Sequence, residues 1–356
     1  MTASPLLQTS GAVPGDGPDT GVAAHYGDPL REQRLLTEGL GVVDLSHRGV
    51  VTVTGPDRLS WLHSLTSQQL VDLPPRTSTE TLVLTPKGHV EHALHVVDDG
   101  ETTWLTVEPG TAPALAAWLD SMRFMLRVEV ADVSDDYAVL GEGIAREGAE
   151  GEPPTWLDPW PRLAGDSALY GPAPEEHPGR ERRWREVIVP VADLPSAVGD
   201  RELVGTWAAE ALRIAAWRPR LGAETDHRTI AHELDWLRTA VHLHKGCYRG
   251  QETVARVENL GRSPRLLVQL HLDGSAPQRP NVGDDITFNG RKVGRIGTIV
   301  DDCDFGPIAL GLVKRSALDA GTLEVGDTAA SIDPSSIPED EGPKAGREAV
   351  NRLRGR

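Results

Sequence analysis

An α+β fold follows from three observations. Strands and helices alternate without the regular βαβ rhythm of a doubly wound sheet. The last ordered block is all β and carries the strong hairpin signal Asn289-Gly290. At 356 residues the chain exceeds one small core, and suits two or three packed units of about 100–150 residues each.

The elements follow in order. Residues 1–24 are rich in Gly, Pro, Ser and Thr without periodicity and read as a disordered lead. Residues 50–54 are a β-branched strand closed by the turn Gly55-Pro56-Asp57. Asp57 is placed to cap the next helix, whose inner stripe is Leu59, Leu62 and Leu65. Residues 81–85 and 90–97 form a hairpin around Pro86-Lys87-Gly88, and 104–107 is another strand. Residues 112–122 are helical, with Leu115, Trp118, Leu119 and Met122 on one buried face. Residues 128–130 return to strand. From 141 to 183 the chain is rich in Pro, Gly and Glu and poor in aliphatics, a long, partly flexible insertion. A strand at 187–190, a helix over about 204–215 and a short helix at 251–260 follow. Strands at 266–271, 285–288, 292–295, 296–300 and 308–313 close a small antiparallel barrel. The expected divisions are the lead 1–24, two α+β subdomains over 25–262, the barrel at 263–331 and a disordered charged tail at 332–356.

Hydrophobic content of 39% and charged content of 25% are those of a soluble globular protein. No apolar run approaches the ~18 residues of a membrane span, and the first 20 residues have no secretory pattern. A formal charge of −17 repels a phosphate backbone, so direct nucleic-acid binding is not expected. Two cysteines, Cys247 and Cys303, fit free thiols in a reducing cytoplasm. No Cys/His spacing holds a metal by itself.

The segment Lys245-Gly246-Cys247-Tyr248-Arg249-Gly250-Gln251-Glu252 concentrates the chemistry. A cysteine lies between two cations just ahead of a helix, a setting that lowers a thiol pKa. Gly246 and Gly250 allow tight turns, and Gln251 and Glu252 could cap the helix. The bland alternative for Cys247 is a small buried hydrophobe. Cys303 sits between Asp302 and Asp304, which would raise its pKa, and takes that bland reading. His89 and His95 share one strand face and His92 the other, so the three cannot converge on a metal. His227, His232, His242 and His244 offer two ligands at most on one face.

The octapeptide resembles the signature of the YgfZ family, folate-binding relatives of the glycine cleavage T-protein. Asp44-Leu45-Ser46, Val53-Thr54-Gly55-Pro56-Asp57, and Ala211-Leu212-Arg213-Ile214 followed by Pro219 and Gly222-Ala223-Glu224 also look like T-protein segments. The resemblance spans residues 44 to about 315. It implies a cloverleaf of two α+β units and a C-terminal barrel around a folate channel, a tetrahydrofolate or folate derivative as cofactor, and a role in iron–sulfur cluster assembly or repair in client proteins. It places Glu186 and Arg213 at the folate contacts. Arg213 could otherwise be a helix-surface cation paired with Glu210, and Arg218 and Arg220 add positive charge suited to folate's glutamate tail. Cys247 and Lys245 are the expected chemical pair, with Lys245 and Arg249 favouring the thiolate, Gly246 and Gly250 shaping the loop, and Tyr248 completing the motif.

One departure separates the chain from T-proteins. Their Gly-Gly-Ile-x-Asp-Asp pattern supplies an aspartate for aminomethyl transfer, whereas Gly88-His89-Val90-Glu91-His92-Ala93 has no carboxylate at either position. Glu91 is adjacent and faces the other side. Three function classes therefore stand: a folate-binding iron–sulfur assembly protein with a working thiol, a folate-dependent aminomethyltransferase, and a folate-sensing scaffold without chemistry.

Overall fold

The computed structural model describes residues 3–276 and 278–338. A ribbon of β1 (Val13–Pro14) and β2 (Ala23–His25) leads to α1 (Pro29–Thr37) and β3 (Gly41–Asp44). Then come β4 (Gly49–Thr54), α2 (Arg58–Leu65), β5 (Ser78–Leu84), β6 (Val90–Asp98), β7 (Thr102–Val107), α3 (Ala112–Met122) and β8 (Glu129–Asp132). The next stretch holds β9 (Tyr137–Glu142), β10 (Thr155–Leu157), β11 (Arg185–Pro190), α4 (Leu194–Val198), β12 (Glu202–Val204), α5 (Thr206–Ala215), α6 (Leu237–Ala240) and α7 (Gln251–Leu260). Six strands finish the chain: β13 (Arg265–Leu272), β14 (Asp285–Phe288), β15 (Arg291–Asp302), β16 (Gly306–Lys314), β17 (Leu323–Val325) and β18 (Thr328–Ile332).

Three β assemblies carry the fold. One sheet runs β5-β6-β7-β4-β8 and a second β10-β11-β9-β3-β12, while β13-β16-β15-β14-β17-β18 close a barrel. Val51, Val53, Leu94 and Leu105 of the first sheet pack on Trp61 and Leu62 of α2 and Leu115 and Leu119 of α3. The opposite face of that sheet, through Val50 and Val97, meets Val43, Val139, Trp156 and Ile188 of the second. Alternation along β4 thus feeds two cores at once. Among the described residues no helix is long and apolar enough to cross a membrane.

Several expectations change. Residues 3–24 are not a disordered lead: Ala23 and Ala24 are buried and Asp19 reaches the interior. Their Gly/Pro content signals only that they build no core of their own, and the folded body supplies one. The insertion at 141–183 is likewise pinned, by buried Trp156, Trp160 and His177. Residues 292–295 and 296–300 join into the single strand β15, with an irregularity between Ile296 and Ile299. The barrel's end lies at Ile332, followed by a short 3-10 turn at Pro334–Ser336. The remaining charged tail, from 339 on, lies outside the described residues. Asp57 occupies the N-cap of α2 without bonding its amides. Its carboxylate instead grips Arg127 through the side chain, at 2.7 and 3.1 Å, and the backbone amide, at 2.9 Å.

Candidate functional site

Both sheets, α5 and the lead converge on a central cavity. Its wall is built from the link between β3 and β4 (His47, Arg48), from His95 on β6, Glu186 on β11, Arg213 on α5, and Glu108 just past β7. Period-2 alternation aims Glu186 inward, because its neighbour Arg185 faces the other side and bonds Glu142 at 2.7 Å. Arg213 and Glu186, read separately from the sequence, therefore border one space.

Most charges around this space are already paired. Arg213 donates to Glu210 (2.9 and 2.7 Å), Glu224 (2.8 and 3.3 Å), the Arg218 carbonyl (2.6 Å) and Thr298 of β15 (2.7 Å). Every nitrogen of its guanidinium is engaged by protein. The surface pairing with Glu210 exists, yet the arginine is buried and pins α5 to the barrel. Arg218 forms a two-pronged pair with Glu80 (3.0 and 2.6 Å) and reaches Asp158 at 3.3 Å. Arg220 joins Glu108 at 2.8 Å and Asp19 at 2.9 Å. The excess positive charge expected of Arg213, Arg218 and Arg220 is thus cancelled locally, as buried ions require.

What remains unpaired is more informative. Buried Arg48 meets Glu108 only at 3.5 Å and lies 3.8 Å from Glu186. Its Nε, His47 Nδ1, Thr206 Oγ1 and Arg182 Nε are buried without a protein partner. Orphaned buried groups are rare and call for a ligand or ordered water. Glu186 accepts from His95 Nδ1 and Thr106 Oγ1, each at 2.9 Å. Burial alone would raise its pKa, but Arg48 and then His95 outweigh it and hold the carboxyl well below the usual range. His95 lies flat on Trp156, with ring centroids 3.7 Å apart at 5°. The cavity holds about 70 Å³ of free space. A second cavity of about 400 Å³ adjoins it through the shared wall of Asp158, Arg182 and Trp184.

The octapeptide lies elsewhere, between the end of α2 and the turn after β5. Cys247 is exposed and, among the described residues, does not line the central cavity. Lys245 is buried. Its Nζ turns away from the thiol to the carbonyls of His63, Thr66 and Gln68, closing the C-terminal end of α2. Burial pushes its pKa down to about 8. Arg249 pairs with Glu91 at 3.0 Å and stacks over Trp118. Neither cation of the motif is thus spent on the sulfur. Tyr248 is buried below, and its hydroxyl has no protein partner. Gly250 is left-handed (φ 82°), and a Cβ there would lie 2.7 Å from the Thr85 carbonyl oxygen. Gly246 is open, and Gln251 and Glu252 begin α7. Cys303 is half-buried, with its pKa raised by burial and by Asp302 and Asp304, as its flanks require.

Sequence reasoning missed Asp19, His47, Arg48, Glu108 and Asp158. Asp19 and Asp158 lie in segments read as loose. His47 and Arg48 directly follow Asp44-Leu45-Ser46, and a polar pair between two β-branched strands was the available signal.

Residues 8–141 match the family described as GCVT N-terminal domain. The chain is 26% identical to a candidate chloroplastic transferase of Arabidopsis thaliana, over 94% of this chain and 79% of that protein. It is 25% identical to an aminomethyltransferase of Synechococcus sp., over 84% and 86% of the two chains. An iron–sulfur cluster assembly factor IBA57 homolog, mitochondrial, of Mycosarcoma maydis is 26% identical over 65% of this chain and 57% of that one. The crystal structure of glycine cleavage system aminomethyltransferase T from Bartonella henselae superposes with a TM-score of 0.74 at 19% identity, covering 94% of this chain and 97% of that one. The chain carries a stretch similar to the GCVT N-terminal domain and has the fold of the glycine cleavage T-protein, two α+β units and a closed antiparallel barrel.

Proposed function

We propose that this protein binds a tetrahydrofolate at the central cavity and supports assembly or repair of iron–sulfur clusters in client enzymes, with Cys247 as the working thiol. The observation that carries the ligand reading is the set of buried, unpartnered donors at Arg48, Thr206 and Arg182 lining the same cavity as the Glu186 carboxylate. Donors beside an acceptor fit a pterin edge, which presents both a carbonyl and ring N–H groups. Arg48 would hold the acceptor side and Glu186 the N–H side. Arg213, its donors spent, would position the wall instead of touching the ligand. The smaller cavity suits a head group only if Arg182 and Asp158 yield towards the larger one. When bound, a tetrahydrofolate supplies an acceptor for a one-carbon unit.

The cluster-assembly reading draws on the likeness to the Mycosarcoma maydis assembly factor and on an exposed thiol held by a rigid loop. Lys245 and Gly250 fix that loop's two ends. Two free thiols keep the cytoplasm as the expected compartment. A second reading, folate-dependent aminomethyl transfer, is favoured by near full-length likeness to the Synechococcus enzyme. Against it, the displaced carboxylate Glu91 is exposed and tied to Arg249.

Calorimetric titration of tetrahydrofolate into wild-type and Cys247→Ala protein tests both halves, beside maturation of cluster enzymes in cells carrying each form. Equal folate affinity with loss of maturation in the variant is expected. No binding heat in the wild type ends the ligand reading, and full maturation by Cys247→Ala ends the thiol reading. Turnover of an aminomethyl-lipoyl carrier protein with tetrahydrofolate would favour the second reading.

A further inference from the structure

We propose that His95 and Glu186 form a proton-transfer pair on the cavity wall, with His95 Nε2 exchanging a proton with an amine nitrogen of a folate-class ligand. This rests on the folate reading above and adds a proton carrier to it.

The geometry leaves one nitrogen for the task. His95 Nδ1 lies 2.9 Å from Glu186 Oε2. An ionised carboxylate only accepts, so Nδ1 carries the hydrogen. In the neutral ring the lone pair is then on Nε2. Among the described residues nothing bonds Nε2, and the imidazole lines the cavity. The Trp156 stack sets the ring plane, and Thr106 steadies Glu186 from a third strand. A ring gripped at one nitrogen and on one face, with the other nitrogen open to a cavity, is how a carboxylate-oriented histidine meets its ligand.

The surrounding charges permit the exchange. Facing His95 are the carboxylates of Glu186, Glu108, Asp158 and Glu80, the last directly opposite across the β5–β6 pair. The guanidiniums of Arg48 and Arg218 also face this region, but Arg218 is saturated by Glu80 and Asp158. In the step, an N–H bond of the protonated ligand amine breaks, its electron pair stays on nitrogen to leave the neutral amine, and the proton bonds Nε2. The imidazolium so formed is offset at contact distance by Glu186, which stays ionised. A histidine here would supply the acid/base group for which the 88–93 segment offers no inward carboxylate.

Two measurements on the full chain decide this. Nitrogen NMR of ¹⁵N-histidine-labelled protein should show His95 as the Nδ1–H tautomer near neutral pH, with Nε2 gaining a proton when tetrahydrofolate is added. Glu186→Gln should shift that tautomer balance, which a purely packing role would not do. Tetrahydrofolate titrations near pH 6.5, in two buffers of different ionisation heat, should show net proton exchange in the wild type. His95→Gln, which keeps a donor towards Glu186, should bind within about tenfold of wild type yet exchange none. An Nε2–H tautomer, an Nε2 whose protonation tetrahydrofolate leaves unchanged, or undiminished proton exchange in His95→Gln overturns the proposal. No binding in the wild type refutes the folate reading itself, and the tautomer measurement then decides the pair alone.

Discussion

Arg213 and Arg48 both point a guanidinium towards the cavity wall, but their replacement should fail in different ways. Removing Arg213 strands Glu224, whose side chain is fully buried, and also releases Glu210, Thr298 and the Arg218 carbonyl. Breaking a buried pair by deleting one partner costs about 3–5 kcal/mol. For units of this size that lowers the thermal midpoint on the order of 10 °C. Arg48→Met, by contrast, gives up a marginal 3.5 Å contact with Glu108 and the charge that most offsets buried Glu186 at 3.8 Å, but strands no hydrogen-bonded partner, so its stability cost should be smaller, about 1–3 kcal/mol. Its cost should appear in ligand affinity, where a lost bond to a charged donor is worth about 1.5–3 kcal/mol, roughly a ten- to hundredfold weaker tetrahydrofolate. Paired thermal melts and calorimetric titrations of Arg213→Met and Arg48→Met measure both. Arg213→Met melting with the wild type, or Arg48→Met binding tetrahydrofolate as tightly as the wild type, refutes the assignment of structural and ligand-facing roles.

Three further outcomes follow from the geometry. Gly250→Ala forces a Cβ to 2.7 Å from the Thr85 carbonyl oxygen and 2.9 Å from Leu84 Cβ at a left-handed φ. It should cost more than about 1 kcal/mol and make the 245–250 loop a protease target; an unchanged melt and digestion pattern contradicts the packing described. With an alkylating reagent near about pH 8, exposed Cys247 should react well before Cys303, whose pKa is raised by burial and its acidic neighbours. Mass spectrometry showing the reverse order overturns the placement of the loop. Glu186 has a depressed folded-state pKa, so its stabilising contribution is present above the unfolded value of about 4.3 and is lost as pH falls through the folded one. Glu186→Gln should therefore flatten the acid limb of a stability–pH curve between about pH 5 and 2, and an unaltered limb would show the carboxylate to be uncoupled from folding.

Local information was enough wherever a segment carried its own period or turn chemistry. The helix at Ala112–Met122, the hairpin turned by Pro86-Lys87-Gly88 and the barrel hairpin at Asn289-Gly290 all read directly, because a 3.6 or 2.0 repeat and a glycine turn are short-range properties. So did the octapeptide and its exposed cysteine. The destinations of charged side chains were not legible. Lys245 lies two residues from Cys247 yet spends its ammonium on α2, about 180 positions away. Arg249 goes to Glu91, and Asp57 to Arg127 instead of its own helix. Nor could the pattern of the first 24 residues reveal that Asp19 closes the cavity against Arg220. Composition and periodicity determined the α+β class, most helices and strands, and the motif worth testing. Tertiary packing alone decided which arginines are saturated and which keep an unused donor, because a buried charge is satisfied by whatever partner folding brings within reach, and that choice has no signature in sequence spacing.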